Sequence, residues 1–385
     1  WKKHICPLRS YFKNNWSYYR VSYDSTERPI DTLFYVNPIA ETYYTLNVLG
    51  DTTFIYSDIT RSFPIFYTQQ NNQLFLSDDI YYLKSKFNIN DFDSTSEIEL
   101  KASNHTYGKK TLLKNVYQIQ ASEYVEIKNE NFVKSCFIYL YSIQIEKKSD
   151  YKTFTKTAYI SFENSFKRLI KSLQNRTVVI PLSGGFDSRL ITTILKKYNY
   201  KNIVCYTYGR KDSFEIENSK KTASTFGFQW YFIEYNEALI DGFLETNDFK
   251  NYVQFAGKLS SMPNLQEYFA VKYLKEHHLI PDNSIFIPGY AGDILGGSEY
   301  LINIPTNTDY KQLPNVILEK KMANHFFNNK EKKHVLRNIE KNFFLFDENY
   351  KQKKPVMMIF GIRYSIDFQS NNCYQIPSSK SFYYF

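Results

Sequence analysis

Cysteine and histidine are scarce in this chain of 385 residues, with four of the first and six of the second. Cys6, Cys136, Cys205 and Cys373 lie far apart and form no CxxC pair, so neither a zinc site nor a redox dithiol is readable. Reduced, structural thiols are expected. The histidines show no HxxxH or HExxH spacing, and the adjacent His277 and His278 would point to different sides of a helix, which argues against histidine-bound metal. No apolar run reaches the roughly 18 residues that a membrane span requires. No basic-then-apolar leader is seen either, and a soluble, cytoplasmic protein without membrane contact is the expectation. Internal repeats and low-complexity tracts are missing too. Position 1 is Trp rather than Met, so the chain can begin inside a longer one.

Aromatic residues are abundant, with 35 Tyr and 32 Phe within a hydrophobic content of 43%. The core is therefore expected to rest on rings. At this length two domains are the natural expectation. The net charge of +9 permits binding of an anion such as ATP or RNA without choosing between them, because the lysines are spread along the chain. A cluster such as Lys330-Glu331-Lys332-Lys333 reads as a solvated helix face.

Residues 1–148 read as a β-rich domain. Short apolar or alternating runs (Thr53–Tyr56, Gln73–Leu76, Tyr124–Ile127) are separated by polar turns at Gln70-Asn71-Asn72 and Asn129-Glu130-Asn131, as antiparallel hairpins require. The charged stretch Glu146–Asp150 marks a linker to a second domain over 149–385. There the period changes: Ala158, Phe162, Phe166, Leu169, Ile170 and Leu173 recur at helical spacing. Strands and helices then alternate, with strands at 177–182, 203–208 and 229–235, and helices at 187–198 and at 215–226 ending on Gly227. A further helix at 265–276 precedes a buried strand at 284–287. Such alternation predicts a parallel sheet with helices on both faces. The stretch 370–385 has no clear periodicity.

The motif Ser183-Gly184-Gly185-Phe186-Asp187-Ser188 falls between the apolar run Val178–Leu182 and a helical pattern. A glycine turn there gathers unpaired N–H groups at a helix N-terminus and lets a polyphosphate approach the main chain. No Gly-Lys-Ser/Thr follows, so this is not a Walker loop. The hydroxyls of Ser183 and Ser188, with a Mg²⁺ held by Asp187, would have to neutralise the phosphates. In a parallel sheet ligands sit at the carboxyl ends of the strands. A second glycine-rich loop, Pro288-Gly289-Tyr290-Ala291-Gly292-Asp293-Ile294-Leu295-Gly296-Gly297, follows the strand ending at Ile287, and Asp187 with Asp293 could bracket a pyrophosphate through Mg²⁺.

These two loops together resemble the synthetase half of the asparagine synthetase family, whose SGGxDS motif is the PP-loop of ATP pyrophosphatases. The resemblance extends to Val204–Gly209, similar to the strand whose backbone reads adenine there, and to the helix from Glu217 to Gly227. It implies an adenine nucleotide alpha hydrolase-like domain with ATP and pyrophosphate at Ser183, Gly184, Gly185, Asp187, Ser188, Tyr208 and Gly289. Asp187, Asp293 and Tyr290 would be catalytic. In the first domain, Asp58–Tyr67, Gln73–Asp79 and Leu113–Val125 resemble segments of the family's antiparallel, Ntn-type glutaminase sandwich. Three departures stand out. The amidotransferase members begin with a catalytic cysteine, whereas this chain has Trp1 and a first cysteine at Cys6, so a glutaminase site is not expected. Tyr290 replaces an acidic residue of the second loop, which together with Arg189 is nearer to the β-lactam synthetase branch. The later R-x-P-F-L-D segment has only a remnant at Arg363–Asp367.

The resemblance implies an ATP-dependent ligase that adenylates a carboxylate, releases pyrophosphate, and forms an amide with an amine or ammonia. Cofactors would be ATP and Mg²⁺, nucleic acid is not expected as a partner, and a homodimer is compatible with the sequence. A tRNA-modifying PP-loop enzyme, or a relative that binds ATP without turnover, remain the alternatives.

Overall fold

The computed structural model of the chain describes residues 17–20, 31–37, 42–49, 52–57, 61, 64–71, 73–128, 131–137, 150–289, 312–322 and 325–343. They fall into two compact units. The first takes in the described residues up to 137 together with 253–263 and 312–343; the second comprises 150–252 and 264–289.

The first unit is built on antiparallel sheets, as its short alternating runs require. Its strands are β1 (Ser17–Arg20), β2 (Asp31–Asn37), β3 (Thr42–Leu49), β4 (Thr52–Ser57), β5 (Phe66–Gln70), β6 (Gln73–Ser77), β7 (Val116–Gln118), β8 (Glu123–Lys128) and β9 (Asn131–Phe137). One sheet has the order β1-β2-β3-β4-β8-β9 and the other β6-β5-β7. The pair Gln70 and Gln73 closes a two-residue turn. Asn71 there adopts φ +50°, the left-handed conformation that suits such a turn and that asparagine tolerates. Helix α1 (Ile80–Lys86) starts where the Asp79 carboxylate accepts the Tyr81 N–H at 3.0 Å, and α2 (Ser94–Ser103) where Asp93 accepts the Ser96 N–H at 2.8 Å. Neither helix is evident from apolar spacing, because both are short and α2 is largely polar.

Sequence order alone does not delimit this unit. Residues 253–263 return to it through backbone bonds: Thr106 N donates to Ser260 O at 2.8 Å, Leu112 N to Leu259 O at 2.7 Å, and Met262 N to Asn104 O at 2.7 Å. The helices Leu313–Lys321 and Asn329–Phe343 belong to it as well, packing Ile317, Leu318, Val335 and Ile339 with Ala102 and Tyr107. The second of these carries the Lys330–Lys333 cluster. The chain therefore crosses between units several times, which a single boundary at 148/149 does not anticipate.

The second unit begins with α3 (Tyr151–Leu173), capped by Asp150, whose carboxylate accepts the Thr153 N–H at 2.9 Å. Only its later turns are covered: Phe166 and Leu173 are buried, whereas Ala158, expected on the apolar face, is exposed. Then follow β10 (Val178–Pro181), α4 (Phe186–Lys197), β11 (Ile203–Gly209), α5 (Phe214–Phe226), β12 (Gln229–Glu234), α6 (Glu237–Ile240), α7 (Asn247–Tyr252), α8 (Tyr268–Glu276) and β13 (Ile285–Phe286). The sheet has the order β12-β11-β10-β13. Every pair in it is parallel. Its near-continuous apolar strands are those of a sheet covered on both faces. Val179, Val204, Tyr206 and Ile233 pack against Ala270, Val271 and Leu274 of α8. Helix α5 ends, as expected, on Gly227 at φ +71°.

The chain is thus α/β with an α+β first unit, its N-terminal sheets antiparallel and its later sheet parallel. Among the described residues no helix is long and apolar enough to cross a membrane. Cys205 is buried and its thiol pushed up to about 12 by that burial, in keeping with a structural role. Cys6 and Cys373, like Arg363–Asp367, lie outside the described residues.

Candidate functional site

Strand β10 ends at Pro181, and the chain turns through Ser183 and Gly184 to Gly185, the N-cap of α4. Gly185 carries no side chain to cap the helix, so the first-turn N–H groups of α4 lack a capping partner from that residue. Inside the turn, the Ser183 N–H donates to Ser188 Oγ at 3.2 Å, the two seryl oxygens lie 3.2 Å apart, and the Gly185 N–H donates to Ser183 Oγ at 3.1 Å. Ser188 is buried, so its hydroxyl braces the turn. Asp187, in the first turn of α4, is exposed and makes no hydrogen bond or ion pair among the described residues. Arg189 bends back: its Nε donates to Gly185 O at 2.9 Å, and its guanidinium lies 4.7 Å over the Phe186 ring.

The neighbouring strand secures the turn from below. Thr207 Oγ1 donates to Leu182 O at 2.7 Å and accepts from Trp230 Nε1 at 3.0 Å. Gly184 faces α5, where a Cβ would meet Asn218 Nδ2 at 3.5 Å, an ordinary contact. Gly289 differs. A Cβ on it would sit 3.0 Å from Ser188 N and 3.2 Å from Asp187 Cβ, so the start of the second loop approaches the first motif too closely for a side chain unless its neighbours give by a few tenths of an ångström. Two loops some 100 positions apart in the chain are thereby brought together at the carboxyl ends of β10 and β13. Tyr290 and Asp293 lie outside the described residues.

A cleft of about 710 Å³ opens there, bounded by Ser183, Gly185, Asp187, Ser188, Tyr208 and Gly289 among the expected residues. That volume suits a nucleotide-sized ligand. Others complete its wall that sequence reading did not single out: Arg210, Asp212 and Glu215 after β11, Tyr235 after β12, and Glu267 at the start of α8. The loop after β11 could have been found from its place at the end of a parallel strand. Glu267 carried no such signal, since a glutamate before a helix ordinarily just complements the helix dipole.

Tyr208 and Tyr235 stack with centroids 5.1 Å apart at 23°, and Tyr235 is fixed by donating to Gln266 O at 2.7 Å and accepting the Ala270 N–H at 3.0 Å. Burial, with the Glu267 charge nearby, holds the Tyr208 hydroxyl above its ordinary value, and burial does the same for Tyr235. The Glu267 carboxyl is itself pushed up to about 7 by burial, with no hydrogen-bond or cationic partner among the described residues. Lys196 and Lys197, expected to lie too far along α4 to reach the turn, are occupied elsewhere. Lys196 Nζ donates to Phe226 O at 2.7 Å, and Lys197 pairs with Glu163 and bonds Tyr159.

The wall therefore carries Asp187, Asp212, Glu215 and Glu267 against Arg210. A polyphosphate at the α4 N-terminus would be repelled by these carboxylates without a cation between them. Asp187 is placed to hold one. Among the described residues no three histidine, cysteine or carboxylate side chains cluster as metal ligands, so the remaining coordination would come from phosphate oxygens, water or residues beyond them.

Residues 161–278 match the family model described as asparagine synthase. No curated protein sequence matches the chain. Among solved structures it is similar to an ammonia-dependent NAD synthetase from Campylobacter jejuni, at 16% identity over 58% of this chain and 96% of that one with a TM-score of 0.28. It is similar also to NMN synthetase from Francisella tularensis, at 12% identity over 58% of this chain and 97% of that one with a TM-score of 0.28. A tRNA thiolase from Methanococcus maripaludis shares 13% identity over 56% of this chain and 80% of that one, with a TM-score of 0.26. The SGGFDS turn and the parallel strands β10 and β11 beside it fall within the stretch, residues 161–278, that matches the asparagine synthase family model.

Proposed function

We propose that the chain is an ATP-dependent, amide-forming ligase of the asparagine synthetase type. The observation that carries this reading is the SGGFDS turn at the carboxyl end of β10, which opens on a nucleotide-sized cleft and lies within the stretch that matches the asparagine synthase family model. A substrate carboxylate oxygen attacks the α-phosphorus of ATP, the bond from the α-phosphorus to the bridging oxygen breaks, and pyrophosphate leaves with that electron pair. The nitrogen of an amine or ammonia then attacks the acyl carbon, AMP departs, and the nitrogen gives up its proton to a base.

Each part of the cleft has a task in this scheme. The α4 N-terminus and the Ser183–Ser188 turn hold the β- and γ-phosphates, where a fixed field meets the growing charge of the leaving group without reorganising. Asp187, with Asp293 as its proposed partner, would hold Mg²⁺, which when bound supplies charge neutralisation at the phosphate oxygens. Ser188 keeps the turn in shape. Tyr290 is proposed beside the nitrogen nucleophile.

The test is ATP–pyrophosphate exchange with the full chain and Mg²⁺ across a panel of carboxylates beginning with aspartate, with AMP measured in parallel. Carboxylate-dependent exchange is expected. Cleavage of ATP only to ADP and phosphate, or no exchange with any carboxylate, would overturn the reading.

A further inference from the structure

The peptide unit between Leu182 and Ser183 leads from β10 into the phosphate turn, and both of its polar groups are taken. Ladder pairing of β10 with β11 ends at Pro181 and Tyr206. The next carbonyl, that of Leu182, accepts from Thr207 Oγ1 at 2.7 Å, while the Ser183 N–H on the other edge of the same plane donates to Ser188 Oγ at 3.2 Å. A trans peptide is planar and points its C=O and N–H in opposite directions, so holding one group fixes the other. Thr207 is buried on β11, and Trp230 Nε1, 3.0 Å away on β12, can only donate to it. The one proton of Thr207 therefore has Leu182 O and Ser219 Oγ of α5, each at 2.7 Å, as its acceptors, and the peptide carbonyl is the stronger of the two.

We infer that Thr207 is a positioning residue for the phosphate turn, holding the Leu182–Ser183 peptide with its carbonyl turned back onto β11 and its N–H turned into the SGGFDS loop. This rests on the reading of that loop as the phosphate site of the ligase and names the residue that keeps it receptive. The physical reason is the sign of the two groups. A carbonyl oxygen carries partial negative charge and an amide hydrogen partial positive charge, so a rotated plane would present the wrong pole of the peptide dipole to a polyphosphate. Gly184 and Gly185 follow, and their conformational freedom gives the chain little rigidity of its own, so restraint must come from side chains. Ser188 cannot supply all of it. Its hydroxyl belongs to the loop and travels with it, whereas Thr207 stands on a buried strand and ties the plane to the sheet.

The test is calorimetric binding of inorganic pyrophosphate with Mg²⁺ to the full chain, with the melting temperature of every variant reporting its folding. Thr207→Val keeps the shape of the side chain and loses the hydroxyl, and about tenfold weaker binding is expected, the scale of a small displacement at a site. Thr207→Ala is the second hydroxyl-free variant should Thr207→Val fail to fold, with the same loss expected. Thr207→Ser restores the hydroxyl and should bind within about threefold of the wild type. Trp230→Phe removes another partner of that hydroxyl but spares its bond to Leu182 O, and it too should stay within about threefold. Wild-type affinity in a folded hydroxyl-free variant, no rescue by Thr207→Ser, or a loss in Trp230→Phe as large as in Thr207→Val would overturn the assignment. Pyrophosphate binding needs no carboxylate, so failure of exchange with every carboxylate would overturn the ligase reading and leave this assignment standing. Absence of pyrophosphate binding by the wild-type chain would overturn both.

Discussion

Glu99 in the first unit and Glu267 in the second are both held at about 7 by burial, against 4.5 for an ordinary glutamate. Around Glu99 the fold supplies what the carboxyl needs: the Tyr107 N–H donates to it at 3.0 Å, and the Asn338 amide donates to its other oxygen. Lys110 and His105 add favourable charge. Around Glu267 no such partner is found among the described residues, and it lines the cleft. A perturbed carboxyl is thus an ambiguous sign of function. The informative observation is whether its hydrogen bonds are already made, because a satisfied buried group ties elements together while one without partners beside a cleft is open to water, an ion or a ligand.

The largest expected effect separates the cleft from the rest of the molecule. Asp187→Ala should lower carboxylate-dependent AMP formation by about 10³-fold, the scale of several kcal/mol of lost charge stabilisation. Its melting temperature should barely move, because Asp187 is exposed and makes no hydrogen bond or ion pair among the described residues. Near wild-type AMP formation in this variant would remove the phosphate turn from the mechanism.

Next comes the first unit, where the consequence should be one of stability. Glu99→Leu removes the acceptor of the Tyr107 N–H and of the Asn338 amide, and should cost about 1–3 kcal/mol, the scale of buried hydrogen bonds lost. Urea denaturation measures this directly. Loss of nucleotide binding with unchanged stability would mean that Glu99 is not the structural member of the pair.

Gly289→Ala tests how the two loops meet. Its Cβ would press on the Ser188 N–H and Asp187 Cβ, so the phosphate turn must shift by a few tenths of an ångström. About tenfold weaker ATP binding is expected, since small misplacements at a site are costly. A calorimetric constant equal to that of the wild-type chain would show the approach to be slack.

The smallest effect is also the sharpest on the comparison, because its sign matters more than its size. A carboxyl whose folded value is about 7 and unfolded value 4.5 binds more protons in the folded state between those limits. It therefore destabilises the fold progressively as pH rises from about 4.5 to about 7. Both Glu99→Gln and Glu267→Gln should flatten this decline. Only Glu267→Gln should leave the chain as stable as the wild type or more so at pH 8, since it removes a charge that no partner compensates. Melting curves at pH 5 and pH 8 decide it, and a clear loss of stability in Glu267→Gln at pH 8 would show that its carboxyl has a structural partner.

Much of the second unit was legible beforehand, for a simple reason. In β10, α4, β11, α5 and β12 the period marks each element, and α5 is bounded besides by Ser213, whose hydroxyl accepts the Glu215 N–H, and by Gly227 in the left-handed conformation. The first unit was legible in its hairpins but not in α1 and α2, whose starts depend on single aspartates. Helix α8 begins at Tyr268 and not at Leu265, with Gln266 and Glu267 before it lining the cleft.

The sequence by itself determined the SGGFDS turn and the parallel order around it. Both follow from local rules: glycine where the backbone must be bare, apolar runs where strands are covered, and short alternating runs where they are not. Only the tertiary structure decided that Gly289 closes on Asp187, that residues 253–263 and the two helices after residue 312 join the first unit, and that one of two equally perturbed glutamates is satisfied. Those outcomes depend on which distant groups come within hydrogen-bonding reach, and residues far apart along a chain carry no periodic signal of their meeting.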